Sequence, residues 1–281
     1  YIDRHWSWRT IGGVANFISR QSRGPLAGSV SLGGGSFSTL LADVRLGGAL
    51  GRSGLDFDLA YSERTQFDNF DLGRQEQTIG TFRQGGGAER PNTSFANRSA
   101  YGRLGWQLAP AWRAELRVHG FFGYDIEGPG AESDLATNQS SRNTAVTGAD
   151  LRLTGRLGEH ALQLVTHGTR EYDVRRDETA GRPPFRAGIR ATTFRGAQLQ
   201  DAWTISPDYT LAYGADYELV KNNGKTYGAT GARIRPSSPD DARETTGLFA
   251  EATAKWFEQR LIVSVGARQP KGVIYDTYLV E

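Results

Sequence analysis

The sequence predicts an all-β protein, an antiparallel transmembrane β-barrel wall of about eleven strands. Three observations predict it. Apolar and polar residues alternate with a period of two through many segments of ten or more residues. The connections between those segments are alternately very short and long, and the aromatic residues follow that same alternation. A strand tilted across a bilayer needs about 9–11 residues, whereas soluble sheets use roughly five or six per strand. Length and rhythm together favour a membrane wall over a soluble sandwich.

Composition agrees. The chain has 281 residues, 36 of them glycine, with no cysteine and no methionine. Without cysteine there is no disulfide scaffold, thiolate metal site or cysteine nucleophile. Without an initiator methionine the chain is expected to be a processed or partial product, with any signal peptide outside it. A net charge of +2 argues against a polyanion-binding surface as the main role, so no nucleic-acid partner is expected. Mean hydropathy is −0.50, and no run of about 18 apolar residues occurs, which excludes a transmembrane helix. A barrel is not excluded, because half of its residues face a polar lumen.

The elements follow in order. Residues 28–37 and 39–49 form a first Gly-rich hairpin whose outer connection is tight. From Leu55, one face reads Leu55, Phe57, Leu59, Tyr61 and the other Asp56, Asp58, Ala60, Ser62. Residues 96–108 carry a weaker version of the pattern. From Trp112, the apolar set Trp112, Ala114, Leu116, Val118 opposes Arg113, Glu115, Arg117, His119. Residues 144–157, 161–174 and 189–205 continue it. Leu211, Tyr213, Ala215, Tyr217 then oppose Ala212, Gly214, Asp216, Glu218, and Leu248, Ala250, Ala252, Ala254 oppose Glu251, Thr253, Lys255. Residues 261–268 close the series. Side chains alternate faces along a strand, so each run has one apolar and one polar face, and none fits the three-and-four spacing of a helix.

Short connections fall at residues 51–54, 109–111, 158–160, 206–208 and 258–260, and long ones at 66–95, 126–143, 175–187 and 221–243. Short periplasmic turns and long external loops are the asymmetry of outer-membrane barrels. Trp106, Trp112, Trp203 and Trp256 stand close to short turns, while Tyr61, Tyr124, Tyr172 and Tyr217 stand towards the long ones. That is the expected pair of interfacial girdles.

Ahead of the first strand, residues 11–20 read Ile-Gly-Gly-Val-Ala-Asn-Phe-Ile-Ser-Arg, and residues 28–37 read Gly-Ser-Val-Ser-Leu-Gly-Gly-Gly-Ser-Phe. This stretch resembles the end of the plug domain and the first barrel hairpin of TonB-dependent outer-membrane receptors of the siderophore or iron-complex type. The motif covers about residues 11–50, and the strand rhythm carries the resemblance to residue 268. The resemblance implies three segments: residues 1–22 as the C-terminal remnant of a plug, 23–268 as the N-terminal half of a roughly 22-stranded barrel, and 269–281 as an irregular tail. It implies residence in the outer membrane of a Gram-negative bacterium, contact with outer-membrane lipid, and work with the TonB–ExbB–ExbD system in the intact protein. It also implies energised uptake of an iron–siderophore or similar large nutrient complex by binding and gating, with no cofactor and no enzymatic step.

Site residues follow from face and loop. Arg45, Arg103, Arg113, Arg117 and Arg152, with Arg156, share the polar face and are expected to line the wall against the plug. Aromatic and basic residues in the long connections, namely Phe67, Phe70, Phe82, Arg83, Arg186 and Tyr227, are candidate ligand contacts, because recognition concentrates in loops on a rigid scaffold. His119 and His167 share the polar face and are read as ordinary lumen residues rather than ligands for haem or a metal chelate. The acidic tips at 68–71 and 238–241 are read as solvated rather than calcium-holding. No Gly-x-Ser-x-Gly elbow, phosphate-cradling loop or zinc spacing occurs, so neither catalysis nor a bound metal is expected. The alternative reading is a self-contained smaller outer-membrane barrel, a channel or adhesin; an enzyme on a barrel lacks its nucleophile motif.

Overall fold

Alternation that exposes one apolar face and one charged face should give strands whose hydrogen bonds run sideways into a single curved sheet. The computed structural model has that architecture. It describes residues 22, 24–51, 53–67, 70–71, 77–79, 82–84, 89–90, 93–128, 138–179, 184–236 and 240–277. Eleven strands follow one another in an antiparallel meander: β1 (Ala27–Gly35), β2 (Thr39–Ala49), β3 (Leu55–Gln66), β8 (Phe95–Ala109), β9 (Trp112–Gly128), β10 (Asn138–Leu157), β11 (His160–Thr179), β12 (Phe185–Ser206), β13 (Tyr209–Tyr227), β15 (Asp240–Trp256) and β16 (Leu261–Thr277). A two-residue strand, β14 (Arg233–Ile234), pairs with the end of β13. Between β3 and β8, β4 (Phe70–Asp71) pairs with β7 (Glu89–Arg90), and β5 (Gln77–Ile79) with β6 (Phe82–Gln84). The sheet is not closed. No helix among the described residues is long and apolar enough to cross a membrane.

The register carries the stagger of tilted strands. One hydrogen-bonded row runs Asp56, Gly105, Glu115, Arg152, Val165, Gln198, Asp216, Gly247, Pro270. Asp56 is the second residue of β3, and Pro270 is the tenth of β16. The row therefore climbs about one residue per strand. With a rise of about 3.4 Å against a strand spacing of about 4.8 Å, the tilt is roughly 35°, within the range of barrel walls.

Burial follows the two faces. The outer face exposes Leu59, Leu104, Leu116, Val118, Leu151, Leu199, Leu248 and Val265 in a continuous apolar band, up to 70% for Val265. A surface of that kind calls for lipid or another apolar partner. Trp106, Trp203 and Trp256 on this face lie towards the short turns, and Tyr61, Tyr124, Tyr172 and Tyr217 are exposed on the same face further up. Trp112 lies flat over Gly155, where a Cβ would collide with its ring. The tightest hairpins use left-handed residues, as at Gly158 with φ +57°.

Three boundaries differ from the sequence reading. The tail begun at residue 269 is strand: β16 runs to Thr277, and its Pro270 is tolerated because β16 is an edge of this sheet. The long connections are shorter than their polar composition suggests, since β9, β10, β11, β12 and β13 extend well into them. In these strand ends the alternation fades while the backbone ladder continues. The connection at 66–95 holds four short strands rather than an irregular loop. The plug remnant assigned to residues 1–22 lies outside the described residues except for Ser22, as do the acidic tips at 68–69 and 238–239.

Candidate functional site

The inner face is built by the same alternation. Asp58 pairs with Arg103, Arg103 with Arg117, and Arg117 with Asp150, so one row across β3, β8, β9 and β10 sets two arginines side by side between two carboxylates. The row beneath adds Asp56, Gly105, Glu115 and Arg152. Glycine at 105 is what lets the network close. A Cβ there would overlap the Arg113 guanidinium and crowd Arg103 and Asp56.

Arg103 is the centre, 2% exposed. Its guanidinium reaches Asp56 at 2.6 Å and Glu115 at 3.2 Å, and makes two bonds to Asp58, the one from Nε at 2.7 Å. Arg113 reaches Asp56 at 2.7 Å. Arg117 holds Asp150 at 2.7 Å and lies 3.7 Å from Glu115. A buried guanidinium is tolerated only when its fork is filled by carboxylates with good geometry, which this arrangement supplies. The chain entering β1 touches the same network, since the Ser22 N–H donates to Asp58 at 3.2 Å.

Above the network the wall forms an open concavity of about 690 Å³. Asp43, Arg45, Tyr101 and His119 line it with the hydroxyls of Ser29, Ser62 and Ser99. Further round, Asp216 binds Arg268 at 2.5 Å, and Glu218 faces Arg243 at 3.6 Å. The rings of His119 and His167 each lie over a glycine of the next strand, Gly148 and Gly196, so they are two strands apart and lean on separate partners. No group of three metal-ligating side chains occurs among the described residues. Near the far end of β11, Arg175 forks onto Asp177 with two bonds of 2.7 Å, and that carboxylate raises the arginine's pKa.

The structure places the expected wall arginines as follows. Arg103, Arg113 and Arg117 form the network; Arg152 stands opposite Glu115 in register; Arg45 is exposed in the concavity; Arg156 is exposed near the short turn. Of the six candidate ligand contacts, Phe67 is exposed just past β3, its N–H bonded to Phe37 at 3.0 Å. Arg186 and Tyr227 belong to adjacent strand ends, β12 and β13, rather than to loops. Phe70, Phe82 and Arg83 sit on β4 and β6, and their side chains lie outside the described ones. Nothing brings Phe67 together with Arg186 and Tyr227. The sequence reading missed the carboxylate partners Asp56, Asp58, Glu115 and Asp150, although the period-two pattern had placed the first three on the polar faces of their strands.

No protein-family model matches the chain, and no curated protein matches it by sequence. Solved structures match by fold. The chain is similar to the copper transporter OprC with a TM-score of 0.68 at 16% identity, covering 92% of this chain and 38% of that one. The ferric citrate transporter FecA in its unliganded form follows at 0.60 and 13%, covering 96% and 44%. A double mutant of the Serratia marcescens hemophore receptor HasR, in complex with its hemophore HasA and heme, gives 0.60 and 18%, covering 88% and 33%. The chain thus spans less than half the length of each of these structures. They are TonB-dependent receptors, and the fold of this chain is that of part of the barrel wall of TonB-dependent receptors.

Proposed function

We propose that the chain is the N-terminal part of the barrel of an energised outer-membrane receptor that takes up a scarce metal complex or similar nutrient. One observation carries this reading: a tilted antiparallel wall with an apolar exterior and a charged interior. In this reading the Arg103 network is a rigid floor near the short-turn end, and the concavity lined by Asp43, Arg45, Tyr101 and His119 receives a plug. Ligand would enter from the side of the long connections, where Phe67, Arg186 and Tyr227 stand. Work is done by binding and gating with TonB–ExbB–ExbD, and no bond of the ligand is broken. An iron–siderophore is the proposed cargo class.

The intact gene product, expressed in a Gram-negative host, should fractionate with the outer membrane and show heat-modifiable mobility on gels. Recovery in the soluble periplasm would overturn the reading. Cargo is tested separately on the intact gene product by fluorescence titration with ferric siderophores, haem and Cu²⁺. Saturable binding of a ferric siderophore is expected, and binding of haem or Cu²⁺ alone would replace that cargo class.

A further inference from the structure

A wall that faces lipid should be apolar, and Arg170, Arg195 and Lys221 break that rule together. The register sets Arg170 of β11 and Lys221 of β13 on either side of Thr193 of β12, with Arg195 two residues further along β12 on the same outer face. Neighbouring strands are about 4.8 Å apart, so the three cations share a patch about 10 Å across. All three are exposed. Arg170 lies over the Tyr172 ring at 5.8 Å. Neither Arg195 nor Lys221 has a carboxylate partner among the described residues.

Depth is the second observation. Arg170 stands eleven residues from Glu159, Arg195 twelve from Pro207 and Lys221 thirteen from Asp208, which sets them at one level above their short turns. Trp203, on the same face, stands four residues from Pro207. Eight residues therefore separate Trp203 from Arg195, about 22 Å of height at the tilt found above, against an apolar band of about 25 Å. The cations thus sit at the far edge of the band from the tryptophans. Arg98 stands at the same level but is neutralised by Glu63 at 2.8 Å. Glu244 and Lys271 face the same side on β15 and β16 and leave the surplus positive.

We propose that this patch binds the phosphates of lipid A, the glycolipid anchor of lipopolysaccharide, in the outer leaflet. The proposal rests on the membrane reading above. Guanidinium forks match phosphate oxygens bidentately, and a lysine adds a point charge. Three cations within about 10 Å suit a headgroup with two phosphate monoesters more than one with a single phosphodiester. The exposed Tyr172 offers an apolar body and a polar tip at the boundary.

The test uses the intact gene product inserted into nanodiscs, with lipid A titrated against phosphatidylglycerol at equal charge and against inorganic phosphate. Lipid A should be retained, and the triple variant Arg170→Gln, Arg195→Gln, Lys221→Gln should weaken its binding roughly 100-fold. A variant carrying Arg170→Lys and Arg195→Lys should retain most of it, and Arg260→Gln at a short turn should bind as the unaltered chain does. Equal lipid A binding by the triple variant would overturn the patch. Equal binding of phosphatidylglycerol, or displacement by free phosphate, would overturn lipid A as its occupant. Failure of the unaltered gene product to insert at all would overturn the membrane reading, and this inference with it.

Discussion

Arg98 and Arg103 stand five residues apart in β8 and differ in everything except chemistry. Arg103 points inward, its side chain fully buried among Asp56, Asp58 and Glu115. Arg98 points outward, its side chain half exposed, with Glu63 as its one ion-pair partner among the described residues. An odd number of residues along a strand reverses the face, and the face decides what the charge is worth. Inside, the carboxylates have lost most of their water and depend on the guanidinium; outside, water competes for every bond. Breaking the inner polar row should therefore cost the wall more than breaking the outer pair.

The largest effect should come from emptying the centre. Arg103→Ala leaves Asp56, Asp58 and Glu115 crowded together without their shared cation. Removing one partner of a buried ion network costs about 3–5 kcal/mol. Urea unfolding of the intact gene product should show that loss, and a loss below about 1 kcal/mol, the ordinary scale of exposed pairs, would mean that burial adds nothing to the inner row.

Gly105→Ala sharpens the same point without removing a charge. Its Cβ would enter the space of the Arg113 guanidinium, which is tied to Asp56 at 2.7 Å and cannot swing away freely. Overpacking of this kind costs about 1–3 kcal/mol. Combined with Arg113→Ala, the added methyl should cost less in the same unfolding measurement, since only its 2.8 Å approaches to Arg103 and Asp56 remain; full additivity would place the strain elsewhere. On the outer face the matching probe is Gly155→Ala, which pushes Trp112 off its glycine seat. Loss of one cross-strand aromatic contact is worth about 1 kcal/mol or less. Indole emission should shift red, and unchanged emission would show that Trp112 does not rest there.

The strand count, the two faces and the short-turn tryptophans were all legible because period two is set by backbone geometry and survives any choice of side chain. The strand ends at Arg186, Tyr227 and Thr277 were not legible. Beyond the apolar outer band neither face is constrained, and the ladder there is written in backbone hydrogen bonds alone. The arginines of the wall were legible as inward-facing. Which carboxylate each would take was not, since that depends on register, and a slip of two residues keeps the alternation while changing every partner. Asp201 shows a further limit. It interrupts the outward row of Leu199 and Trp203 yet stays 9% exposed, because His160 at 2.7 Å and Tyr213 at 2.6 Å close over it. A lipid-facing carboxylate is costly without such partners, and they come from neighbouring strands that no local window contains.

The smallest effect is expected at Arg98, and it is the sharpest check on the comparison. Arg98→Ala removes a pair of 2.8 Å to Glu63 and a ring contact of 5.6 Å to Tyr124. Glu63 is not left stranded, because the Tyr61 hydroxyl still donates to it at 2.9 Å and water reaches the rest. Exposed pairs of this kind are screened by salt. The urea midpoint of the intact gene product should therefore stay within error at physiological salt, with a small loss emerging only at low ionic strength. A loss as large as that of Arg103→Ala, persisting at high salt, would show that burial is not what separates the two arginines. The outer pair would then be bearing on the wall as heavily as the inner network does.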